Sequence, residues 1–195
     1  MKVIVVGASG TLGGAVAAAL EDAGHVVVRA SRRGPVRVDL EDASSIDALF
    51  AAVPDAEAVL CCAASGPLVD LASVTDDAFE RGLRGKLLGQ VALARRALGC
   101  LGDNGSVTLT AGTFSSPLAG GSLGALVNAG LEGFVRNAAA ELPRGLRINV
   151  VSPGWIRETL EGLGLDGAGG TAAAVVARSY VECVEGSGSG RTIVP

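Results

Sequence analysis

The sequence predicts an α/β protein: an open, doubly wound parallel sheet of about seven strands with helices on both faces, three layers in one domain spanning residues 1–195. Three observations predict it. Short apolar runs alternate with longer helical stretches along the whole chain. The chain is 49% hydrophobic but holds one Trp, one Tyr and four Phe, so its core is built from Val, Leu, Ile and Ala. Such a core suits strands buried on both faces. The first run, Val3-Ile4-Val5-Val6, passes through Gly7-Ala8-Ser9-Gly10-Thr11-Leu12-Gly13 into an Ala-rich helix expected from about Thr11 to Ala23.

That strand–turn–helix passage predicts a phosphate cradle. Backbone N–H groups at a helix N-terminus lack intrahelical partners, and the helix dipole favours an anion there. Gly7 can take positive φ, Gly10 carries no Cβ to hold a pyrophosphate away, and Gly13 lets helix and strand approach. The spacing is G-x-x-G-x-x-G.

The remaining elements follow in order. A second strand covers Val26–Ala30 and ends at Ser31-Arg32-Arg33-Gly34. A hydroxyl and two guanidiniums stand there with no acid between Val26 and Val38, which suits a ribose 2′-phosphate better than a free 2′-OH. A short third strand, Val36–Val38, leads to Asp39-Leu40. Ser44 or Ser45 is expected to cap a helix running to Val53. The fourth strand is read as Ala58–Ala64, with small residues (Ala63, Ala64) at its end. One long helix is expected from Thr75 to Leu98, carrying Lys86 in its middle. A fifth strand spans Ser106–Thr110 and a Gly/Ser/Thr loop spans Ala111–Ser122. A second long helix runs from Leu123 to Leu142, and the sixth strand is Arg147–Val151. Glycines at 162, 164, 167, 169 and 170 predict a mobile lid. A helix over Ala172–Val184 and a closing strand, Thr192–Val194, complete the chain.

Composition narrows the function. The net charge is −4 with no basic tract, so no nucleic-acid partner is expected. No apolar run spans a membrane and no leader-like segment is found, so a cytoplasmic protein is expected. Cys61, Cys62, Cys100 and Cys183 fit no zinc spacing, and no metal site is expected. Cys61 and Cys62, adjacent in a strand, point to opposite faces. The one histidine, His25, sits in the turn entering the second strand, remote from the glycine loop, and reads as structural.

The chain resembles the short-chain dehydrogenase/reductases over nearly its whole length. Gly7–Gly13 resembles that family's glycine loop, and Ser31-Arg32 its NADP-selective strand end. Asp39-Leu40 resembles the pair meeting the adenine. Cys61-Cys62-Ala63-Ala64 stands where N-N-A-G is usual, and Ile148–Gly154 resembles the sixth-strand motif. The resemblance implies a Rossmann-type fold binding NADP(H) through Gly7, Ser9, Gly10, Thr11, Leu12, Gly13, Ser31, Arg32, Asp39, Leu40, Ala63, Ala64, Pro153, Gly154 and Ile156. It also implies a homodimer or homotetramer through the two long helices, and a small-molecule carbonyl or alcohol substrate.

The family's catalytic residues are absent. Ala111 stands at the serine position, Gly124 at the tyrosine, Asn128 at the lysine, and Lys86 at the asparagine. An Asn128/Lys86 pair would exchange two residue types between helices. Lys86, Thr110 and Asn128 are the candidate catalytic residues, with Lys86 contacting ribose or polarising a substrate oxygen. Three functions remain open on the sequence: an NADP(H)-dependent oxidoreductase with a non-standard proton donor, a non-redox isomerase, cyclase or dehydratase reusing the crevice, or a non-catalytic NADP(H)-binding sensor.

Overall fold

The computed structural model describes residues 1–63, 66 and 68–195. Ala64, expected at the cofactor, lies outside the described residues.

Seven strands form one sheet among those residues: β1 (Lys2–Val6), β2 (Val26–Ser31), β3 (Val36–Arg37), β4 (Ala58–Cys61), β5 (Ser106–Thr110), β6 (Arg147–Val151) and β7 (Thr192–Ile193). Their order is β3-β2-β1-β4-β5-β6-β7, and every pair is parallel. All carboxyl ends therefore share one rim. The chain leaves β1 towards β2 on one side and returns to β4 on the other, so the crevice of the fold opens between β1 and β4.

Among the described residues there are seven α-helices. On one side α1 (Thr11–Asp22) and α7 (Ala173–Glu185) pack over Val3, Val5, Leu60 and Cys62. On the other α2 (Ala43–Ala52), α4 (Gln90–Cys100) and α5 (Ser122–Ala138) pack over Ile4, Val6, Val59, Cys61, Val107 and Leu109. Alternate residues of each strand feed opposite cores, as the pleat requires. Cys61 and Cys62 divide between them as expected. The two shorter helices are α3 (Asp76–Leu83) and α6 (Arg157–Gly162).

The structure corrects several expected boundaries. The helix expected over 75–98 is interrupted: Thr75 caps α3 by accepting from the Ala78 N–H, a π-helical turn occupies Arg84–Gly89, and α4 resumes at Gln90. Gly85 and Gly89 permit the bulge to lie against its neighbours, because a Cβ on Gly89 would stand 2.7 Å from the Leu40 Cβ. The fourth strand stops at Cys61 and the third at Arg37, where their ladders run out. Asp42, rather than Ser44 or Ser45, caps α2 by accepting from the Ser44 N–H at 2.9 Å. α5 ends at Ala138 rather than Leu142. The glycine-rich segment expected as a lid contains α6 and a 3-10 turn at Gly167–Gly169, pinned at its base by a bridge between Ile156 and Thr171. No helix is long and apolar enough to cross a membrane.

The glycine turn is the tightest packing in the molecule. Gly7 has φ +85°, and a Cβ on it would lie 2.7 Å from the Ala63 nitrogen. A Cβ on Gly13 would lie 2.1 Å from the Gly7 carbonyl oxygen. Gly13→Ala is expected to force α1 off β1 and to cost about 1–3 kcal/mol, as overpacking does. Urea unfolding of the variant against the wild type measures it.

Candidate active site

The site begins at the rim between β1 and β4. Gly10 is the extended N-cap of α1 and offers no side-chain cap. Gly7 N–H and Ala8 N–H donate to the Ala30 carbonyl, and Gly10 N–H to Gly7. The N–H groups of Ser9, Thr11, Leu12 and Gly13 find no acceptor among the described residues. Ser9, Gly10 and Thr11 are exposed and Leu12 is half-buried. Unspent donors at a helix N-terminus whose first residues are exposed suit a diphosphate, with Gly13 buried behind them. Ala63, exposed beside Gly7, continues that wall with a methyl group.

The neighbouring rim supplies charge. Ser31 is buried at the end of β2, and its carbonyl accepts from Gly34 and Val38. Arg32 and Arg33 are exposed and, among the described residues, make no ion pair. Asp39 is held in place by its own turn: its N–H donates to Ser45 Oγ at 2.8 Å and its Oδ1 accepts from the Glu41 N–H at 3.1 Å. Leu40 packs against Gly89, tying this rim to the π-helical turn. Across the crevice Pro153 is buried and its carbonyl accepts from Thr113. Gly154 is exposed, and Ile156 is buried against α7. These donors and close-packed glycines fit a nicotinamide dinucleotide.

The structure brings Lys86 and Asn128 together. Lys86 Nζ donates to Asn128 Oδ1 at 2.9 Å, from the π-helical turn to a buried residue of α5. The pair lies beyond the end of β5, where a Cβ on Gly112 would meet Asn128 Nδ2 at 3.3 Å. Among the described residues no carboxylate pairs with Lys86. Burial therefore lowers its pKa to about 8, opposed by the Cys61 thiol in the nearby sheet. Burial in turn pushes that thiol up to about 12. Phe114 covers Gly124, its ring 3.2 Å from where a Cβ would stand, so an aromatic from the loop lies over the place expected for the tyrosine.

Thr110 is corrected. Its side chain points to the opposite face of the sheet from Lys86. There its hydroxyl donates to the Cys61 carbonyl at 2.5 Å and lies 2.5 Å from the Tyr180 hydroxyl of α7. With its proton given to the carbonyl, Thr110 accepts from Tyr180, and both are buried. Alternation along β5 dictates this, since Ser106, Thr108 and Thr110 share one face while Leu109 and Ala111 face the Lys86 side. Tyr180, the one tyrosine, is buried there too, and burial raises its pKa well above the usual phenol value.

Gln90 escaped the sequence reading. It is fully buried, and its side-chain amide bonds the Lys86 carbonyl and both backbone groups of Thr110. Its signal was the register Gln90, Leu93, Ala94, Ala97, which puts an amide on the core face of α4. Phe114 had no such signal, because it sits in an irregular loop.

An open groove of about 870 Å³ lies elsewhere, between α1 and α7, walled by Ala15, Ala18, Ala19, Asp22, Arg178 and Glu182. It offers methyl groups and exposed charges.

The geometry agrees with known proteins. The family model described as Enoyl-(Acyl carrier protein) reductase matches residues 1–185. The chain belongs to the short-chain dehydrogenase/reductase family. It is similar to the protein lin1944 from Listeria innocua, with 34% identity, a TM-score of 0.93, and coverage of 100% of this chain and 98% of that one. A small-chain dehydrogenase in complex with NADPH matches at 23% identity and TM-score 0.86, covering 100% and 96%. A citronellol catabolism dehydrogenase from Pseudomonas aeruginosa matches at 24% and 0.83, covering 100% and 92%. No curated protein matches the sequence.

The buried amine has a measurable consequence for stability. Its folded-state pKa, about 8, is below the ordinary lysine value of 10.5. Between these the unfolded chain holds the proton and the folded one does not, so stability rises with pH across that window. Below pH 8 the folded protein carries the full cost of a buried charge. Relative to Lys86→Met, the wild type should gain about 3 kcal/mol between pH 8 and 10.5, read by denaturant unfolding of both proteins across that range.

Proposed function

We propose that the protein is an NADP(H)-dependent oxidoreductase acting on a small carbonyl or alcohol, with Lys86 in place of the family's tyrosine as proton donor. The observation that carries it is the Lys86–Asn128 pair at the rim beside the glycine cradle. The cofactor supplies the hydride when bound. The chain holds its diphosphate on the N–H groups of Ser9, Thr11, Leu12 and Gly13. Arg32 takes the 2′-phosphate and Leu40 flanks the adenine. Asn128 orients the Lys86 ammonium, which gives its proton to the substrate oxygen and leaves a neutral amine that solvent reprotonates. An ammonium with a pKa near 8 exists at neutral pH and releases its proton readily, which a serine or threonine hydroxyl does not. Phe114 covers the site and limits water.

Self-association belongs to the same reading. Leu126 on α5 and Leu88 on the π-helical turn are about half exposed, an apolar surface suited to a second copy.

Fluorescence titration with NADPH, then turnover with a panel of aldehydes, ketones and enoyl thioesters, tests the reading. Binding with oxidation of NADPH on part of the panel is expected. Tight binding with no turnover on any member would favour a non-catalytic sensor, and no binding at millimolar NADPH would overturn both. Arg32→Ala should weaken NADPH about tenfold to a hundredfold, the worth of a charge-assisted hydrogen bond, and leave NADH nearly unchanged. Equal weakening of both cofactors would contradict the 2′-phosphate assignment.

A further inference from the structure

Gln90 is the one glutamine of the chain, and it is completely buried. Its amide makes three hydrogen bonds. Nε2 donates to the Lys86 carbonyl at 2.9 Å and to the Thr110 carbonyl at 2.9 Å, and Oε1 accepts from the Thr110 N–H at 2.8 Å. The β4–β5 ladder stops at the Leu60–Thr108 pair. Beyond it the Gln90 amide serves Thr110 as a further strand residue would, answering both its N–H and its C=O. One proton of Nε2 remains, and it holds the π-helical turn by the carbonyl of the residue that carries the amine.

A leucine here would leave two carbonyls and one N–H without these partners, at a cost a buried position does not absorb cheaply. The amide therefore joins two parts of the site: the end of β5, from which the chain runs to Gly112 beneath Asn128, and the turn that presents Lys86. π-Helical turns inside α-helices recur at functional positions because they re-aim a side chain, and this one is clamped at Lys86.

We propose that Gln90 is a positioning residue: by bonding the Lys86 carbonyl to the backbone of Thr110, it fixes the Lys86 amine against Asn128. This rests on the reading of Lys86 as the reacting amine. The groups around Lys86 are the Cys61 thiol of β4, the neutral Asn128 of α5 and, next to the turn at Gly85, the Glu41 carboxylate.

The chain has two lysines, Lys2 and Lys86. Lys2 is ion-paired with Asp55 near the surface and gives an internal reference. With 15N-lysine in the full-length protein, NMR titration reads each amine without substrate. Gln90→Met keeps the volume and removes all three bonds. In that variant the Lys86 midpoint should rise from about 8 to about 9 or above, a tenfold tighter hold on the proton, as the side chain escapes to water. The kcat of NADPH oxidation should fall about tenfold with the NADPH Kd unchanged. A folded Gln90→Met protein with Lys86 still titrating at the wild-type midpoint would overturn the proposal. If the variant does not fold, the wild type carries the test. Its Gln90 side-chain 15N resonance should shift with the midpoint of Lys86, and its amide protons should exchange as slowly as the β5 backbone. A resonance flat across that midpoint, or fast exchange, would overturn it. If Lys86→Met proves fully active, the functional reading fails, while the hold of Gln90 on Lys86 is still decided by the titration.

Discussion

The approach of Gly7 to the chain leaving β4 is the contact on which the site depends. Parallel strands leave all their carboxyl ends on one rim, and the reversal of strand order between β1 and β4 opens a crevice there. The first turn can border that crevice only if its backbone passes within a few ångströms of Ala63. Only a residue without a Cβ, at positive φ, allows it. Gly13 then closes α1 onto the same turn. The consequence is chemical: the first N–H groups of α1 face the rim instead of being spent inside the fold.

The other half of the site is built on the Lys86–Asn128 hydrogen bond, with the amine from the π-helical turn and the amide from α5. Gly124 leaves a gap that Phe114 covers. Among the described residues no carboxylate pairs with the amine, and burial lowers its pKa to about 8. A buried cation without an anion costs stability, so the arrangement trades some folding free energy for an ionisable group at the crevice.

Much of the fold was legible because its signals are local. Runs such as Val3–Val6 and Ile148–Val151 are buried on both faces and cannot be mistaken for solvated loops. The glycine spacing marked the turn between β1 and α1. The failures share a cause, which is that three-dimensional partners decide them. No proline stands between Thr75 and Leu98 to end the helix, and the glycines there do not fix where it opens; the bulge has Leu40 and Glu41 lying against Gly89 and Gly85. The fourth strand ends where its partners end, although small apolar residues continue. Thr110 looked available because it adjoins the rim in sequence, yet the two-residue period of β5 already sent it to the Tyr180 side while Ala111 took the Lys86 side. The Lys86–Asn128 pairing was readable as a juxtaposition. Its buttress, Gln90, needed the core register of α4 to be followed one residue past the bulge.

The account stands on Lys86 as the proton donor beside the cofactor. The most direct measurement is the rate of NADPH oxidation by wild type and Lys86→Met from pH 6 to 10, on whichever carbonyl the wild type accepts. The account predicts a wild-type rate that falls as pH rises through about 8, with Lys86→Met slow at every pH. Equal rates for the two proteins, or a wild-type rate indifferent to pH across 8, would contradict it.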